Sequence, residues 1–258
     1  MSQPSVTTLT GLAFVNGIAY PITIFTVISA ALQLKKNRSY RVINIFLSSF
    51  FLAFILLTYP LKWSPQGVSP GLRLLWFIAS GLATPCITVA GVHRYTAVIT
   101  NARLQKICIT IAYVIVFGLY SAIITSSVLF SLGKAPYNTT VNSLAIIIPI
   151  GHIILTIFFV TRTQWNDAKM ESFSFVSKLF AILIGVLWSI WIVLLFTISA
   201  EPIYLAITLL LQQLTVLLEN RILSLTETVY SYKKDTIHKS GEKSLGLHTN
   251  SRPEASTK

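Results

Sequence analysis

The sequence predicts an all-α protein: a seven-transmembrane helix bundle with its N-terminus outside and its C-terminus in the cytoplasm. Three observations predict it. The chain is 53% hydrophobic and only 11% charged, whereas a soluble domain carries about 25% charged residues. Its apolar residues gather into seven runs, most near the roughly 20 residues that a spanning helix needs. Seventeen of its twenty Lys and Arg fall on one side of those runs.

The runs extend from Gly11 to Leu34, Val42 to Leu61, Leu74 to Val98, Ile107 to Leu132, Leu144 to Val160, Leu179 to Ser199 and Ile203 to Leu225. Residues 1–10 carry no charged side chain and read as a short extracellular N-terminus. The first run is long enough to span, so it is expected to stay as a signal anchor. The seventh is broken by Gln212, Gln213, Glu219, Asn220 and Arg221. In lipid, such groups must face protein or water. The connections are short, so residues 11–225 read as one transmembrane domain. Residues 226–258 read as a cytoplasmic amphipathic segment and a disordered tail rich in Lys, Ser and Thr.

Charge sets the orientation. The first connection holds Lys35, Lys36, Arg38 and Arg41, the third Arg94, Arg103 and Lys106, and the fifth Arg162, Lys169 and Lys178. The tail from Arg221 adds seven more, and the opposite side has only Lys62, Arg73 and Lys134. Cytoplasmic loops collect positive charge, which places the first, third and fifth connections and the tail inside. The sequon Asn138-Thr139-Thr140 lies in the fourth connection, so Asn138 is expected to be external and glycosylated. Asn37-Arg38-Ser39 has the same pattern but lies in an inside loop and should stay unmodified.

Several function classes are disfavoured. The net charge of +12 does not imply nucleic acid, because the basic residues sit where membrane orientation requires them. Cys86 and Cys108 both lie in apolar runs and support no disulfide framework. The first acidic residue is Asp167, so the first five spans hold no carboxylate pair for metal binding or acid/base chemistry. No lysine lies between Lys178 and Lys233 to form a Schiff base with retinal. Only His93 and His152 lie in or beside spans, with no aspartate among them, so neither an enzyme nor a cofactor is expected. The absence of an internal repeat argues against a transporter of duplicated halves.

The third run ends in Gly91-Val92-His93-Arg94-Tyr95-Thr96-Ala97. This resembles the rhodopsin-like G-protein-coupled receptors, which close their third helix with Asp-Arg-Tyr; here His93 replaces the aspartate. Asn44-Ile45-Phe46-Leu47 is similar to the start of the family's second helix. Pro149 lies in the fifth span, where the family keeps a helix-bending proline. Trp188 and Trp191 lie one turn apart in the sixth, and Trp191 matches the family's tryptophan switch better by its distance from Lys178. Asn220-Arg221-Ile222-Leu223-Ser224 is similar to the family's Asn-Pro-x-x-Tyr. The resemblance covers all seven spans, residues 11 to about 234.

The departures are as informative. Phe54 or a neighbour stands where the family keeps a sodium-binding aspartate. Arg221 replaces the proline and Ser224 the tyrosine of the last motif, and Val193 the proline after Trp191. No cysteine lies between Ser69 and Trp76 for the family's outer disulfide. Short ends and altered motifs resemble receptor homologues carried by large DNA viruses such as herpesviruses, in a plasma or host cell membrane.

The resemblance implies a divergent receptor acting on heterotrimeric G proteins, or on partner receptors in homo- or hetero-oligomers. It names no ligand. A histidine before Arg94 should hold that arginine less firmly than an aspartate does, so the inactive state should be less favoured. Ligand-independent signalling and a silent, pairing receptor are both compatible with this. One alternative is a seven-span channel or viroporin-like protein lined by Gln212, Gln213, Glu219 and Arg221; another is a non-signalling membrane interaction protein.

Overall fold

The computed structural model describes residues 6–63, 68–96, 99, 101–134, 146–162, 168–198 and 203–225. These residues form helices α1 (Val6–Lys36), α2 (Tyr40–Thr58), α3 (Pro70–Thr96), α4 (Ala102–Ser131), α5 (Ile147–Arg162), α6 (Ala168–Ile198) and α7 (Ile203–Leu225). A 3-10 turn, Tyr59–Trp63, extends α2. Six helices are long and apolar enough to cross a membrane, while α5 contributes a shorter apolar stretch, Ile147–Thr161. The secondary structure of the described residues is all helical, and the protein is an integral membrane protein. The N-terminal residues 1–5, Asn138 and residues 226–258, with the expected amphipathic segment and tail, lie outside the described residues.

Helices α1, α3, α4 and α6 begin before the apolar runs that mark them. α1 ends on Lys35 and Lys36, and α4 begins five residues before Ile107. Hydropathy marks what lies in hydrocarbon, whereas a helix continues into the headgroup region until a cap ends it. Ser39 caps α2 by accepting from the Val42 N–H, and Asn101 caps α4 by accepting from the Leu104 N–H. α4 closes in a Schellman motif: the Lys134 N–H donates to the Leu129 carbonyl and the Gly133 N–H to that of Phe130. Gly133 has φ 66° there, the left-handed conformation that glycine adopts without strain.

α3 is the axis of the bundle, two-thirds enclosed (67%), whereas α4 is only 11% enclosed. The reason lies in residue size. Ala79, Gly81, Ala83, Cys86, Ala90 and Gly91 keep the buried faces of α3 small, so α2, α4 and α5 pack closely against it. At Gly81 an added Cβ would collide with the Ile124 side chain of α4. Polar ties join the helices where lipid cannot supply partners. The Ser48 hydroxyl of α2 donates to the Ala83 carbonyl of α3 at 2.8 Å. The Asn44 amide of α2 donates to the Tyr113 hydroxyl of α4 at 2.7 Å. α1, α4 and α6 turn Ile28, Val114, Ile115 and Phe196 outward, as lipid-facing helices do.

Pro149 does not bend a helix. It lies in the first turn of α5, where a missing N–H costs little, and is buried. Among the described residues, the prolines in helix interiors are Pro21 of α1 and Pro85 of α3.

Candidate functional site

Helix geometry separates His93 from Arg94. Consecutive helical residues point about 100° apart at 3.6 residues per turn. His93 therefore faces α4, its Nε2 3.4 Å from the Tyr113 hydroxyl. Arg94 faces the interior and is 2% exposed. A guanidinium so enclosed needs an anion, because burying an unpaired charge is costly.

α7 supplies that anion. Arg94 Nη1 lies 3.1 Å from Glu219 Oε1, an ion pair by distance rather than an aligned hydrogen bond. The other carboxylate oxygen, Oε2, accepts from Arg41 Nη2 of α2 at 3.4 Å. Two cations, one on α2 and one on α3, thus share the one carboxylate of α7, with each oxygen facing one of them. His93 does not hold Arg94; the acidic partner of Arg94 is a residue of the last helix rather than its neighbour in sequence.

Around the pair lies a shell of rings. The Arg94 guanidinium sits 4.3 Å from the Tyr95 ring centroid and 5.5 Å from that of Phe159 on α5, within cation–π range. The Tyr95 hydroxyl is 2.8 Å from Thr156 Oγ1 and donates to the His152 carbonyl at 3.3 Å. The His152 ring stacks on Trp188 of α6, with centroids 4.9 Å apart at 14°. Gly91 makes room for it: an added Cβ would come within 2.7 Å of His152 Cε1. Of the two tryptophans, the buried Trp188 joins this cluster. Trp191, which fits the resemblance better by spacing, is half-buried and meets only the edge of Trp188 among the rings described.

The last motif is dispersed. The Asn220 amide donates to Ser29 Oγ of α1 at 2.7 Å, Arg221 is exposed with its guanidinium 5.2 Å from the Phe25 ring centroid, and Ser224 is half-buried. The structure therefore gathers Arg94 and Tyr95 with Trp188. It sends His93 toward α4, Asn220 and Arg221 toward α1, and leaves Pro149 as a helix start.

Sequence reasoning named Glu219 only as costly in lipid and as a pore lining, and it missed Arg41, His152 and Thr156 as partners. A signal was present for one of them. Glu219 is the sole carboxylate within the seven apolar runs, and an intramembrane acid seeks a base.

Among the described residues no group of His, Cys, Asp and Glu is placed to hold a metal ion. Comparison of the chain with protein-family models, with curated proteins and with solved structures finds no match.

Proposed function

We propose that this chain is a seven-span receptor-like protein, with its N-terminus outside and its C-terminus in the cytoplasm, that signals through or modulates G proteins or partner receptors. The reading counts the shorter α5 as the seventh span and takes orientation from the basic connections. The observation that carries it is the buried Arg94–Glu219 pair. It ties the end of α3 to α7 beside Tyr95, His152 and Trp188, and so links four helices at the basic end of the bundle. In this reading the pair is a latch. While closed, it keeps the Arg94 guanidinium inside; opened, it frees Arg94 to meet a cytoplasmic partner.

Each ligand or partner that favours the open form must outweigh the latch, since a shift of population needs differential affinity. Losing Glu219 removes that opposition. The test is basal second-messenger output, normalised to surface protein, across a panel of G proteins. Glu219→Gln should raise output severalfold and Arg94→Ala should abolish it. His93→Asp should leave it near wild type, because His93 faces Tyr113 rather than Arg94. Equal output from wild type, Glu219→Gln and Arg94→Ala would defeat the reading.

A channel draws support from another observation. Gln213 is fully enclosed, with both amide atoms lacking partners, one turn or more from Glu219 along α7. The exposed Arg221 does not share that lining. Conductance in a pure bilayer would favour the channel over the receptor.

A further inference from the structure

At the end of the bundle opposite Arg94 lies a cavity of about 580 Å³. Small-molecule sites commonly measure roughly 300–1,000 Å³. Its walls come from α2, α3, α4 and α7, and Ile55, Phe77, Phe130, Leu205 and Leu209 make most of them apolar. The polar edge of one aromatic neighbour is already engaged. The Trp76 indole N–H donates to Thr58 Oγ1 at 2.7 Å, and Tyr59 is buried.

Arg73 is the one charged side chain among the described lining residues. It is exposed, and neither of the described ion pairs involves it. Its depth matters. Arg73 lies in the first turn of α3, at the end of the apolar helix Pro70–Thr96. Ser80, another lining residue, is seven positions further along α3, hence about 10 Å deeper at 1.5 Å per residue. A cation at the rim and an apolar chamber beneath it have the polarity of a single-chain lipid.

We propose that this cavity binds a single-chain amphiphile with an anionic head. The carboxylate or phosphate pairs with Arg73, and the acyl chain lies between Phe77, Leu205 and Leu209. A fatty acid and a lysophospholipid share this chemistry. The guanidinium fork suits either head, because it presents parallel N–H donors to two oxygens. The site is independent of the signalling reading, since it needs only the fold and Arg73.

The experiment uses the full chain in nanodiscs of neutral phosphatidylcholine, with binding read by native mass spectrometry and by competition with a fluorescent fatty acid. The probes are oleate, oleoyl lysophosphatidate, neutral monoolein and inorganic phosphate. Oleate or lysophosphatidate should bind at least about tenfold more tightly than monoolein, as a charge-assisted contact predicts. Whichever of the two binds better identifies the source of the head. Arg73→Ala should erase the preference over monoolein. Ser80→Trp, which fills the chamber from an exposed wall position, should weaken all three lipids. Lys134→Ala, which removes a cation outside the cavity, should change nothing. Equal binding of oleate and monoolein by wild type would overturn the proposal. So would retention of the preference in Arg73→Ala, or inorganic phosphate competing as well as lysophosphatidate.

Discussion

Arg94 of α3 and Glu219 of α7 meet at 3.1 Å with side-chain exposures of 2% and 0%. The contact ties the third helix to the last across the middle of the chain, and Arg41 closes it from α2 at 3.4 Å. Its energetics follow from burial. Removing one member of a buried pair leaves an uncompensated charge and costs about 3–5 kcal/mol, whereas replacing both by apolar groups is often neutral.

Glu219→Leu should therefore lower the thermal midpoint of the purified protein in detergent. The double change Arg94→Leu with Glu219→Leu should regain most of that loss, with Arg41 near enough to the surface to find water. Thermal unfolding of wild type, both single variants and the double variant checks this. If the double variant loses the sum of the single losses, the two residues are not coupled and the latch has no energetic content.

Gly91 makes a second, steric prediction. The added methyl group of Gly91→Ala would press on His152 Cε1 at 2.7 Å, and His152 cannot retreat because Trp188 stacks behind it. Overpacking of this kind costs about 1–3 kcal/mol. The midpoint should fall in Gly91→Ala, and His152→Ala in the same chain should relieve part of the fall. A Gly91→Ala protein as stable as wild type would show that α3 and α5 are not packed this closely.

Orientation is open to direct measurement. An epitope tag placed after Lys258 should be invisible to antibody on intact cells and visible after permeabilisation. A glycan-dependent shift in mobility should vanish in Asn138→Gln. Tail staining on intact cells would reverse the inside and outside assigned to every connection.

The helices were legible because each apolar run must be buried or lipid-facing along its whole length. The seventh matches the structure from Ile203 to Leu225 despite its polar residues. The fifth run is shorter in the structure, with its apolar helix from Ile147 to Thr161 falling below the roughly 20 residues that a spanning helix needs. At the site, Arg94 and Tyr95 were legible from their place at the end of α3. Glu219 was visible as an anomaly but not as a partner, because hydropathy does not set the rotation of α7 or show which helix it touches. His93 misled for a simpler reason. Adjacency in sequence suggests contact with Arg94, but neighbouring helical positions face different ways. The preference for Trp191 rested on spacing alone, while burial and the His152 ring select Trp188.

The division of one ion pair between α3 and α7 also sets an order of events in biosynthesis. Arg41 and Arg94 leave the ribosome long before their carboxylate. At roughly 5–20 residues per second, the roughly 125 residues between Arg94 and Glu219 take about 6–25 s to make. Throughout that interval Arg41 and Arg94 lack the carboxylate that they share in the folded bundle. The last helix is thus the closing piece of assembly. A chain that stalls before Ile203 has both arginines but not the carboxylate that pairs with them.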